Sequence, residues 1–169
     1  LVEAGGRVQT GQIMWETPLS PIELLRFDRL SQSPPLTVFG DALHLDEYTV
    51  TVRDNLLTLK LMWQPVRSPS ADYTVSVFLL NGDGVLMAQD DSFPLANHSA
   101  TSTWEAGGHY FDSHALPTAD LPAGTYQLGL KVYAFTDNSF ETIEILSPET
   151  CAPDCEFLVL EQVEIGSGG

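Results

Sequence analysis

Apolar and polar residues alternate through most of this chain. In residues 56–63, "LLTLKLMW", Leu57, Leu59, Leu61 and Trp63 fall on one side, and Thr58 and Lys60 fall on the other. Residues 72–80, "DYTVSVFLL", set Tyr73, Val75, Val77 and Leu79 against Thr74 and Ser76. Residues 125–135, "TYQLGLKVYAF", put Tyr126, Leu128, Leu130, Val132 and Ala134 on one face. Gln127, Gly129, Lys131, Tyr133 and Phe135 take the other face. A period of two is the signature of a strand with one side in a core, because successive side chains leave a strand on opposite faces. Residues 39–50 and 155–165 read as further strands.

Turn chemistry separates these runs. "NGDG" at 81–84 predicts a hairpin into "VLMAQDD", since Asn and Gly accept positive φ. "LPAG" at 121–124 predicts a turn before the long strand. Helix signals are sparse. The best is "SPIELLRF" at 20–27, with Ser20 as cap and Pro21 in the first helical position, and a strand over 22–30 competes with it. Strands do not alternate with helices, which argues against a parallel α/β sheet. The pattern predicts an all-β fold, an antiparallel β-sandwich of about eight or nine strands, immunoglobulin-like or jelly-roll-like. The sandwich is expected over residues 36–165. Residues 1–35 are expected to form an arm of one or two strands that packs on or extends from it, and 166–169, "GSGG", a flexible tail or tag remnant.

Composition narrows the partners. The chain has 169 residues, 43% of them hydrophobic, enough for one domain with its own core. It carries 23 acidic against 7 basic residues, a net charge of −16. Nucleic acid, which is held through Lys and Arg patches, is therefore excluded as a partner, and an anionic membrane surface would repel the domain. No apolar run approaches the roughly 20 residues that span a bilayer as a helix, and Lys131 interrupts the most apolar strand. Leu1 is read as a boundary or a processed end, so that a signal or anchor lies outside this sequence.

Cys151 and Cys155 stand four apart in "CAPDC". They are read as a disulfide, which fits an oxidising compartment. Free thiols are the alternative, and a metal would need two further soft ligands.

Several blocks, taken in order, resemble a family of β-sandwich domains: "FGDALHLDEYTV", "LTLKLMWQP", "DYTVSVFLLNGDGVLMAQDD", "TSTWEAGGHYFDSHAL" and "LPAGTYQLGLKVY". These domains sit at the extracytoplasmic end of bacterial polytopic membrane proteins related to dolichyl-phosphate-mannose-type glycosyltransferases. The resemblance covers about residues 38–165. It departs from the family pattern at Phe78, where a His is usual, and at Ala100 and Ala106, where a Pro is usual. It implies a sandwich in the bacterial cell envelope, membrane-tethered in the full-length protein.

Candidate chemistry is thin. Asp112 and His114 lie two apart and share a strand face with Tyr110, so the carboxylate can orient the imidazole. The preferred reading is a structural hydrogen-bonded pair, because a zinc site needs at least three protein ligands and His109 points the other way. Trp104, before the Gly107–Gly108 turn, could stack on a sugar; the preferred reading is a Trp that plugs the end of the sandwich and bonds its indole N–H. Trp104, Tyr110, Asp112 and His114 are the ligand-binding candidates. "NGDG" with Asp90 and Asp91 could hold Ca²⁺, but its spacing is not that of an EF-hand, and a plain turn is preferred; no other cofactor is expected. Asn97-His-Ser is an acceptor triplet for N-glycosylation. No nucleophile motif and no phosphate loop occurs.

The expected function is a non-catalytic extracytoplasmic module that binds glycan or a protein partner, or braces a polytopic membrane protein. The alternatives are a self-associating structural subunit assembled by strand exchange and, more weakly, a metal-dependent hydrolase.

Overall fold

The computed structural model of the chain describes residues 35–136, 139–146 and 156–166. The arm expected over 1–35, the helix or strand expected at 20–30 and the Cys151–Cys155 pair lie outside these residues, apart from Pro35, which precedes the first strand. Nine strands are described: β1 (Thr37–Phe39), β2 (Leu43–Arg53), β3 (Leu56–Pro65), β4 (Tyr73–Leu80), β5 (Leu86–Ser92), β6 (Tyr110–Pro117), β7 (Gly124–Thr136), β8 (Ser139–Thr142) and β9 (Leu158–Ile165). They form two antiparallel sheets. The first runs β1-β2-β3-β6. The second runs β5-β4-β7, with β8 and β9 in tandem along the far side of β7.

The alternation seen in the sequence is what closes the sandwich. Leu57, Leu59, Leu61 and Trp63 of β3 are buried, and so are Tyr73, Val75, Val77 and Leu79 of β4. Tyr126, Leu128, Leu130, Val132 and Ala134 of β7 meet them from the second sheet. Removing apolar surface on this scale from water is the main force that holds the two sheets together.

One expected strand is two. The run from residue 39 to 50 folds back at Gly40, whose φ of 55° suits a residue without Cβ, so Phe39 pairs with Leu43. The β2–β3 hairpin closes on Asp54 and Asn55, both with positive φ (51° and 60°), the geometry of a two-residue primed turn. At 81–84 the Asn81 side chain builds the turn: its Oδ1 accepts from the backbone N–H of Asp83 and of Val85, and Gly84 takes φ 75°.

Two ties close the open sides of the sandwich. On one side the segment after β8, residues 143–146, reaches β1 and Gly40, with Gly40 N–H donating to Glu144 O and Leu146 N–H to Val38 O, while Tyr48 Oη donates to Leu160 O. On the other side the tie is made by side chains of β5 and β6.

Candidate functional site

His114 on β6 sits between two carboxylates. Its Nε2 lies 2.9 Å from Asp112 Oδ2, and its Nδ1 lies 2.7 Å from Asp90 Oδ2. Asp112 shares the inward face of β6 because it is two residues away; Asp90 arrives from β5, the edge of the opposite sheet. His114 and Asp112 are fully enclosed, whereas the Asp90 side chain keeps 36% of its exposure. Asp112 collects four donors. Its Oδ2 also takes Trp63 Nε1–H at 3.4 Å, and its Oδ1 takes the backbone N–H of Leu95 at 2.9 Å and of Ser113 at 2.7 Å. Burial pulls the His114 pKa down, but hydrogen bonds to Asp112 and Asp90 and their charges outweigh it and leave it raised.

The donor from Leu95 belongs to an unusual turn. Residues Pro94–Asn97 coil with left-handed backbone at Leu95, Ala96 and Asn97 (φ 55°, 50° and 70°). Such backbone costs a non-glycine residue about 1–2 kcal/mol. The turn is held by Asp112 from below, by Asn97 Oδ1, which accepts from Phe93 N–H, and by Ser99 N–H bonding to Pro94 O. Asn97 itself is exposed, with that side-chain oxygen already engaged.

Trp104 lies inside the protein. Its ring stacks on Tyr110 with centroids 4.3 Å apart and planes within 5°, and its Nε1–H donates to Ser99 Oγ at 2.8 Å. Tyr110 is also buried, and its hydroxyl accepts from Glu105 N–H. Neither ring offers a free face to solvent. The four ligand candidates of the sequence are thus all buried, in two contacting pairs, Asp112 with His114 and Trp104 with Tyr110. His109 lies apart from them, with Nδ1 3.5 Å from Asp46 Oδ2 and Nε2 3.4 Å from Gln64 Nε2. Among the described residues no group of three or more His, Cys, Asp and Glu comes together to hold a metal ion.

A different surface is open. On the outer face of the second sheet, Phe135 and Phe140 face each other across the β7–β8 hairpin with ring centroids 5.1 Å apart. Tyr133 joins them, 5.3 Å from Phe140. Phe135 and Phe140 keep 60% and 69% of their exposure, high values for rings of this size. Next along the same face comes a polar row in register, exposed Asp91 on β5, buried Ser76 on β4 and half-buried Lys131 on β7. Gln89 spans part of it, bonding Asp91 Oδ2 at 2.7 Å and Ser76 Oγ at 3.3 Å. Beyond the row the open surface ends: Phe78 is buried, lying over Gly129 and meeting Phe157 edge-on at 5.2 Å. Burial, and after it the neighbouring Asp91 carboxylate, raises the Tyr133 pKa, so the phenol stays protonated and can donate.

The sequence had placed Tyr133 and Phe135 on the polar face of their strand, which is the signal for this surface. Phe140 could be added only once β8 was known to fold back on β7. Asp90 was weighed only as a calcium ligand, and its inward turn onto His114 follows from which two strands form the sheet edges.

No family model matches the chain, and no curated protein matches it. Among solved structures the fold is similar to the C-terminal domain of wzt, at 13% sequence identity and a TM-score of 0.50, over 76% of this chain and 87% of that one. At that identity the likeness speaks for the β-sandwich architecture and for nothing finer.

Proposed function

We propose that this domain is a non-catalytic, extracytoplasmic glycan-binding module, and that its ligand lies on the outer face of the second sheet. The observation that carries this reading is the pair of exposed rings Phe135 and Phe140, with half-buried Tyr133 against Phe140, beside the polar side chains of Asp91, Gln89 and Lys131. A pyranose ring has a face of C–H groups that stacks on an aromatic ring, and hydroxyls that take hydrogen bonds; this surface supplies both. From Lys131 to Phe135 is four residues of extended strand, about 13 Å, which suits a short oligosaccharide rather than one sugar. A net charge of −16 favours a neutral glycan over an acidic one.

The non-catalytic part of the reading is supported by the state of Asp112 and His114, which are enclosed and directed at protein partners. The extracytoplasmic part rests on the sequence resemblance and on the Cys151–Cys155 pair. The tie to a polytopic membrane protein of the glycosyltransferase-related kind rests on the resemblance alone. The structural neighbour is itself described as a C-terminal domain, which agrees with a module attached to a longer chain.

A glycan array read with wild type and with the double variant Phe135→Ala/Phe140→Ala tests this. Neutral oligosaccharides are expected to bind wild type, and the double variant to lose about tenfold or more in affinity, the scale of ~1.4 kcal/mol. Binding that survives both substitutions would move the ligand elsewhere. Sedimentation of the same two proteins separates the alternative of self-assembly: rings that pair copies of the chain would give concentration-dependent mass in wild type and a monomer in the variant.

A further inference from the structure

We propose that the Asp90–His114–Asp112 row is a proton-held clasp: with both ring nitrogens protonated it pins β5 to β6 and keeps the left-handed turn at 93–98 closed, and loss of one proton lets the turn open. With both aspartates ionised, the geometry requires the doubly protonated ring. Both nitrogens of His114 lie within hydrogen-bond distance of a carboxylate, at 2.7 and 2.9 Å. A carboxylate anion only accepts, and neutral imidazole donates once, so the neutral ring must leave one of the two oxygens facing a lone pair.

Which bond breaks follows from burial. Asp112 is enclosed and held by three further donors, so it keeps its partner. Asp90 reaches solvent and can turn to water. Among the described residues the charged groups at His114 are these two aspartates. From β3 the ring meets Leu59, directly opposite, and Trp63 bonds its Asp112 partner; from the turn it is the Leu95 backbone N–H that reaches the cluster. His98, within the turn, is exposed.

The turn is poised to respond. Phe93 follows β5 directly, and after Pro94 the residues Leu95 and Ala96 hold left-handed conformations against their own preference, followed by Asn97, which accepts one. One anchor runs through Leu95 N–H to Asp112, and another runs through β5 itself, by way of Asp90. When Asp90 lets go, the end of β5 that leads into the turn loses its charged tie to β6 and keeps its ladder with β4.

Amide hydrogen exchange on the full chain, corrected for the intrinsic pH dependence of exchange and followed beside the NMR titration of His114, tests the clasp. In wild type, protection of the Leu95 amide is expected to fall about tenfold as His114 loses its proton. In Asp90→Asn the amide can donate to the neutral ring nitrogen, so the bond survives deprotonation and Leu95 protection stays level across the titration. His98→Gln is expected to behave as wild type. Leu95 protection that is level in wild type, or that falls as steeply in Asp90→Asn, overturns the proposal. Should Asp90→Asn not fold, the wild-type titration decides alone.

Discussion

Asp90 and Asp91 are neighbours on β5 and end in opposite worlds. Asp90 points between the sheets and meets His114; Asp91 points outward and joins Ser76 and Lys131 beside the aromatic trio. The inner cluster looks more like chemistry on paper, with a His, two carboxylates, a Tyr and a Trp close in sequence or space. Its polar atoms are nevertheless taken up by one another and by backbone N–H groups. The outer surface pairs Asp91 with Tyr133, yet it also leaves the Phe135 and Phe140 rings in water, where an exposed apolar face costs solubility unless it is used. The difference teaches that burial turns reactive residue types into structure, while exposure of costly ones marks use.

The largest effect that separates the two regions is expected from Asp112→Ala. It strands His114, Trp63 Nε1–H and Leu95 N–H in the interior and should cost about 3–5 kcal/mol in chemical denaturation. Trp104→Ala is expected to cost about 3–5 kcal/mol as well, by opening a cavity against Tyr110. In both cases glycan affinity per folded molecule should hold; a selective loss of binding with intact stability would move the ligand site to the interior end and break the contrast.

Gly129→Ala comes next. A Cβ there would fall 2.2 Å from the Phe78 ring, so the ring must swing off the sheet. Overpacking of this kind costs about 1–3 kcal/mol, read from the melting temperature. A neutral result would mean that Phe78 moves freely and contributes no fixed wall.

The pH dependence sharpens the inner half. The pKa of His114 is raised above its ordinary value of 6.5. The folded chain therefore keeps a proton that the unfolded chain has given up. That contribution is present in full below 6.5 and is lost as pH rises through the raised folded value. Stability is expected to decline across this window in wild type, and the decline to shrink in Asp90→Asn. A wild-type stability that climbs through the same window would contradict the sign.

Phe140→Ala should be the mildest for the fold and the most telling for the surface. The ring is mostly in water, so stability should stay within about 0.5 kcal/mol of wild type.

Much of the fold was legible in the alternation. Leu57 to Trp63, Tyr73 to Leu79 and Tyr126 to Ala134 face inward as a two-residue period demands. The i, i+2 spacing of Asp112 and His114 likewise put both on one face, and the preferred expectations of a hydrogen-bonded pair and of an end-plugging Trp104 match their placement. What periodicity cannot carry is which strands become neighbours. Asp90 finds His114 because β5 and β6 are the edges of opposite sheets, and Phe140 finds Tyr133 because β8 pairs with β7. Backbone strain was equally hidden: "PLAN" has no glycine, and its left-handed turn is imposed by Asp112 and Asn97 rather than by local preference.

The most direct test is a map of amide chemical-shift changes on titrating the domain with a neutral oligosaccharide that scores on the array. The changes should gather at Tyr133, Phe135, Phe140, Lys131 and Asp91 and leave Trp104, Tyr110 and His114 still. Changes centred on the 93–98 turn and β6, with the β7–β8 hairpin unmoved, would contradict the account.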